Sequence, residues 1–153
     1  MNKLIISLFF LVSGSPLYSQ SVFPYEEIKL EKPADYKGAE ALALSASNYL
    51  LFNAYKKDDV SRDRAFQFLV KWTAGDKDFN FTLYGVILEL VEEKELMTLF
   101  IPAMVKFCLE NKVLATNGPV IETNAVKMVL DYCNNPANNF TLKKKHRKRM
   151  EGN

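Results

Sequence analysis

The longest apolar stretch beyond the N-terminus runs from Ala39 to Tyr55, AEALALSASNYLLFNAY. Ala39, Leu42, Ala43, Ala46, Tyr49 and Leu50 recur at helical spacing, which predicts a helix over about Tyr36 to Tyr55. Leu44, Leu51 and Ala54 widen the apolar arc well past one stripe. A helix that is apolar on most sides belongs in the middle of its domain. Asp35 is placed to cap it, because a carboxylate accepts from the free N–H groups of a first turn. Asn48 and Asn53 are polar exceptions and read as satisfied rim or core groups.

The same periodicity predicts four more helices. The second covers about Val60 to Ala74, capped by Asp58 or Asp59, with Ala65, Phe66, Leu69, Trp72 and Thr73 on one face. Gly75 is expected in the left-handed position that ends it. The third begins at Thr82, as N-cap, and reaches about Lys94. Its stripe is Leu83, Val86, Ile87, Leu90 and Val91, with Glu89, Glu92, Glu93 and Glu95 on or near the other face. The fourth covers about Glu95 to Asn111 and contains Pro102, which predicts a kink or a start displaced to Ile101. Periodicity leaves open whether the third and fourth form one bent rod or two. Pro119 suits the first position of the fifth, about Val120 to Cys133. The fold expected is all-α: a single compact domain of about five helices packed around the central apolar helix.

The ends of the chain read differently. Met1-Asn2-Lys3, the apolar run Leu4 to Val12 and the break at Ser13-Gly14-Ser15-Pro16 follow the order of a secretory signal peptide. The run is shorter than the roughly 20 residues of a membrane span. It contains no cysteine for a lipoprotein anchor. The expected organisation is a signal peptide over 1–21, an extended lead-in over 22–35, a helical domain over 36–140 and a basic tail over 141–153. A short edge strand at Glu26 to Leu30 is possible, without a visible partner. Localisation is then periplasmic or secreted.

Composition supports one core. Of 153 residues 48% are hydrophobic, and only six Gly and six Pro are present, which argues against a loop-rich β fold. The net charge of +2 hides an asymmetry. Lys143, Lys144, Lys145, Arg147, Lys148 and Arg149 stand against the single acid Glu151, giving the tail +5. The rest of the chain after the signal has 13 basic and 17 acidic residues, or −4.

Chemistry is scarce. Cys108 and Cys133 both fall on inward faces. An antiparallel hairpin of the last two helices would hold them roughly 20 Å apart along the axis, which favours free thiols over a disulfide. The one histidine, His146, lies among cations, which disfavours metal binding and general-base work. Asp76-Lys77-Asp78-Phe79-Asn80 opens like a calcium loop but lacks its glycine and its final glutamate, so no metal is expected. No histidine in the body can serve a nucleophile, and no glycine-rich phosphate loop follows a strand. Glu89 and Glu93 could form a hydrolytic carboxylate pair, but a solvated acidic face explains them more simply. Arg62, Asp63 and Arg64 likewise read as helix surface. No catalytic residue and no cofactor are expected.

Ala46-Ser47-Asn48-Tyr49-Leu50-Leu51, Phe68-Leu69-Val70-Lys71-Trp72 with Gly75, and Asn124-Ala125-Val126-Lys127 through Asp131-Tyr132-Cys133 with Pro136 resemble small exported helical proteins of Bacteroidota-type bacteria. The resemblance implies compartment and fold, with no activity attached. The function expected from the chain as a whole is that of a non-enzymatic interaction protein. Its six tail cations would contact an acidic protein or envelope component. Nucleic acid is not expected, because the tail lacks interleaved aromatics and the chain carries an export signal. The tail also has the bland alternative of a solvated terminus or of folding back on the Glu89–Glu95 surface. A second functional reading is a carrier of a small apolar ligand between helices, and a carboxylate hydrolase comes third.

Overall fold

A computed structural model describes residues 25–152. The signal-peptide reading and the first residues of the lead-in lie outside them. Seven α-helices fill the described chain: α1 (Pro33–Gly38), α2 (Glu40–Phe52), α3 (Val60–Gly75), α4 (Gly85–Glu89), α5 (Lys94–Glu110), α6 (Gly118–Asn134) and α7 (Lys144–Met150). No strand occurs among the described residues, so Glu26 to Leu30 forms no edge strand. No helix there is long and apolar enough to cross a membrane.

The all-α reading holds, with finer divisions. The first helix expected from the sequence is two, because the chain turns at Ala39. Asp35 acts in the third position of α1 and accepts from the backbone behind it, from Glu31 N at 3.0 Å and Lys32 N at 2.9 Å. Asp59 caps α3 as anticipated, accepting from Ser61 N and Arg62 N. Gly75 is not in the left-handed conformation: it is the last residue of α3. It is glycine because a Cβ there would lie 2.1 Å from the Tyr36 hydroxyl. Tyr36 is held in turn, its hydroxyl donating to Leu30 O at 3.0 Å.

The third expected helix shrinks to α4. Thr82 does not cap it, since its N–H donates to Asn80 Oδ1. Gly85 takes φ +42°, which L side chains avoid, and the Glu122 carboxylate of α6 accepts from Val86 N at 2.7 Å. That left-handed step keeps a helix from entering at Thr82. Pro102 neither ends nor displaces α5, which runs unbroken from Lys94 through it. Losing one N–H there costs on the order of 3 kcal/mol in a bare helix. Ten buried α5 residues, from Leu96 to Cys108, offset it.

The centre of the molecule is shared. α2 lies against α3 and α5, while α5 also packs on α6. One core cluster gathers Leu50, Leu69, Trp72 and Val105 between α2, α3 and α5. The other gathers Leu99, Phe100, Met104, Ile121 and Val129 between α5 and α6. α2 and α5 belong to both, through Leu51 and Val105. The lead-in is not extended throughout, since Tyr25–Glu27 form a 3-10 turn and α1 already begins at Pro33; Leu30 is buried and Tyr25 stacks on Phe68, with ring centroids 5.1 Å apart.

Candidate functional site

The six basic residues singled out by sequence lie on or just before α7. His146 and Met150, spaced by four, share one face of α7, and Leu142 lies two residues before the helix. His146 and Met150 are buried, and Leu142 packs against the α5–α6 core. Phe140 anchors the approach, edge-on to Tyr55 at 5.1 Å and to Tyr132 at 6.3 Å. The segment is therefore a docked helix, and of the readings above it follows the one that folds back on the acidic surface.

The docking contacts are specific. Lys143 Nζ lies 3.3 Å from Glu93 Oε2, and Lys145 Nζ lies 3.8 Å from Glu93 Oε1. Arg149 Nε lies 2.9 Å from Glu89 Oε2 in an ion pair. Arg147 donates to Asn134 Oδ1 at 2.6 Å and sits 3.6 Å from Glu151. Glu89 and Glu93 thus bind α7 cations. Lys144 and Lys148, one turn apart, reach no acid among the described residues. The whole array has six cations against Glu89, Glu93 and Glu151, so it stays positive.

His146 Nε2 is buried 3.3 Å from Glu93 Oε1 without hydrogen-bond geometry. Burial lowers its pKa below the ordinary 6.5; Glu93 pulls the other way, and Lys145 and Lys143 add to the lowering. Glu93 is held below the ordinary 4.5, first by its bond from Lys143, then by the charges of His146, Lys143 and Lys145. Above pH 6.5 the imidazole is neutral in both folded and unfolded chains. As pH falls below 6.5 the unfolded chain takes up the proton first, so stability drops until the folded imidazole is protonated too. Glu93 contributes stability above its ordinary pKa and loses it as pH falls through its lowered folded value. The chain has one histidine, so the limb between pH 7 and 5 is mainly its own. Urea midpoints are expected to fall from pH 7 to pH 5, and the drop should flatten in His146→Leu. An unchanged slope in that variant would contradict the assignment.

A second concave feature lies between the C-terminal end of α2, α5 and α6. It is a groove of about 280 Å³. Its apolar lining is Leu51, Phe52, Met128 and Tyr132; Lys106, Asp131, Asn135 and Asn138 supply polar groups. Phe52 is 71% exposed, with Lys106 Nζ 5.3 Å from its ring centroid. Lys106 also pairs with Glu110. The Asp131 carboxylate makes no ion pair or hydrogen bond with any described residue. Asn138 is committed to structure, its Nδ2 donating to Tyr132 O and its carbonyl accepting from Tyr55 N.

The end of α2 beside this groove holds a residue the sequence did not reveal. Arg62 is buried, not surface. Its guanidinium donates to Leu50 O at 2.9 Å, Asn53 O at 3.2 Å and Ala54 O at 3.5 Å. It also lies 5.6 Å from the Tyr55 ring centroid. The Tyr132 hydroxyl donates to the same Asn53 carbonyl at 2.8 Å. Asn53 Nδ2 bonds Tyr49 O, so this asparagine is a structural rim group. Asn48 differs, with a buried Oδ1 that has no partner.

The remaining chemistry is quiet. Cys108 and Cys133 are free and buried. Burial pushes their thiols up to about 12 and about 11, so neither is a thiolate at neutral pH. Asp76 Oδ1 accepts from Asp78 N and Phe79 N, which makes the calcium-like stretch a turn. Among the described residues no three His, Cys, Asp or Glu side chains converge as metal ligands. No protein-family model matches the chain, and no curated protein or solved structure is significantly similar to it.

Proposed function

We propose that this is an exported, non-enzymatic helical interaction protein that docks an acidic protein partner on the cationic surface of α7. The observation that carries the reading is the pair Lys144 and Lys148 on a helix whose opposite face is anchored by His146 and Met150. A fixed array of charges loses less side-chain and backbone freedom on binding than a loose tail would. The salt bridges to Glu89 and Glu93 spread the remaining cations instead of cancelling them. α7 has seven residues and turns its buried pair inward, so it has little to insert into a bilayer. This favours an acidic protein over an envelope lipid surface.

The test uses the full mature chain against immobilised poly-L-glutamate and, separately, phosphatidylglycerol vesicles. Binding to the polypeptide should weaken with salt. The double variant Lys144→Glu/Lys148→Glu should bind about tenfold or more weakly, at ~1 kcal/mol per cation. Equal binding by variant and wild type would sink the reading. Vesicle binding alone would move the partner to the envelope surface.

The carrier reading has its own support in the groove beside Phe52. That groove is open and small, which suits one compact ligand better than a buried lipid chain.

A further inference from the structure

The groove between α2, α5 and α6 has a charge sign that restricts what it can hold. Four of its lining residues are large and apolar, namely Leu51, Phe52, Met128 and Tyr132. They offer two aromatic rings and a polarisable thioether, a combination that suits a flat aryl group. Lys106 adds a cation, but Glu110 and the Phe52 ring already occupy it. Asp131 adds a carboxylate with no partner among the described residues. Its neighbour one turn back, Lys127, does not pair with it. The uncompensated charge of the groove is therefore negative.

We infer that this groove is a binding site for a small arylalkyl ammonium ion, its ring against Phe52, Met128 and Tyr132 and its ammonium on Asp131. The inference rests on the carrier reading and changes its ligand from a purely apolar molecule to an aryl group that carries one cation. Size agrees. A volume of about 280 Å³ lies at the lower edge of ligand pockets, which suits a ligand as small as phenethylammonium. The Asn135 amide, whose Oδ1 accepts from Ala137 N, has an Nδ2 still free for a ligand acceptor such as a ring hydroxyl. An open groove of this size supports weak, rapidly exchanging binding, which ligand-detected or methyl-detected NMR can read.

Full mature protein is titrated with three probes that share a phenethyl group: phenethylammonium, N-phenethylacetamide and 3-phenylpropionate. Phenethylammonium should shift the Met128 ε-methyl and Leu51 δ-methyl signals saturably. The neutral amide should bind about threefold to fivefold more weakly, the value of one exposed ion pair, and the carboxylate more weakly still. Asp131→Asn should remove the preference for the cation while leaving amide binding unchanged. Met128→Trp, which fills the groove, should abolish all three. Equal binding of cation and amide, or an unaltered preference in Asp131→Asn, would overturn the inference and leave the carrier reading standing. No saturable shift with any probe would overturn both.

Discussion

Arg62→Ala should lower the unfolding free energy by about 2–4 kcal/mol, read as a shift in the urea midpoint. Sequence places Arg62 on a polar helix turn, where truncation would cost a few tenths at most. In the structure its guanidinium is buried and serves the carbonyls of Leu50, Asn53 and Ala54 at the end of α2. The last carbonyls of a helix have no partner within it and carry the negative end of its dipole. Arg62 satisfies both needs, and it ties α2 to α3. Tyr132 adds α6 through its bond to Asn53 O. Removing the guanidinium leaves buried carbonyls that water reaches poorly. Arg62→Lys should recover less than half of the loss, because an ammonium cannot fork across carbonyls spaced this way. A midpoint unchanged in Arg62→Ala would mean that the side chain is solvated.

Trp72→Ala should cost about 3–5 kcal/mol, the usual range for emptying a fully buried aromatic site. Trp72 is completely buried, in ring contact with Phe79 at 5.9 Å and Phe81 at 5.6 Å. Its Nε1 donates to Tyr36 O at 2.9 Å. That bond joins α3 to α1, and the Tyr36 ring covers Gly75. The loss should therefore loosen the lead-in as well as the core. Trp72→Phe separates the two effects: it keeps much of the ring and removes the donor, for a cost of about 1–2 kcal/mol. It is the only tryptophan, so both variants are followed by circular dichroism in urea instead of fluorescence. A cost below about 1 kcal/mol for Trp72→Ala would contradict its place in the core.

The long helices were legible because each carries an apolar stripe and a recognisable end. Asp59 before α3 and Asn117 before α6, with Pro119 in the first turn of α6, behave as their chemistry suggests, Asn117 Oδ1 accepting from Val120 N. What failed were features decided by distant partners. Gly75 looked like a helix stop, but a tyrosine ring 39 positions earlier requires it. Thr82 looked like a cap, but Glu122 on α6 and the turn at Gly85 set where α4 begins. Arg62 looked exposed because a buried arginine bonded to backbone leaves no periodic signal. For α7 a signal existed. Leu142, His146 and Met150 at four-residue spacing mark an inward face, masked by the surrounding cations. The groove had none, since its residues come from three helices and the turn after α6, whose arrangement only packing fixes.

A cationic docking surface requires α7 to be a built helix and not a loose basic tail. Native-state hydrogen exchange of residues 146–151 tests this most directly. The amides of His146, Arg147 and Glu151 donate within the helix, to Lys143 O, Lys143 O and Arg147 O. Their exchange should be slower than in a free peptide of the same sequence by about tenfold or more. Glu93→Gln, which weakens the grip of Lys143, Lys145 and His146, should reduce that protection at neutral pH. Exchange at the free-peptide rate in the wild-type chain would contradict the docked helix and remove the basis for a cationic docking surface.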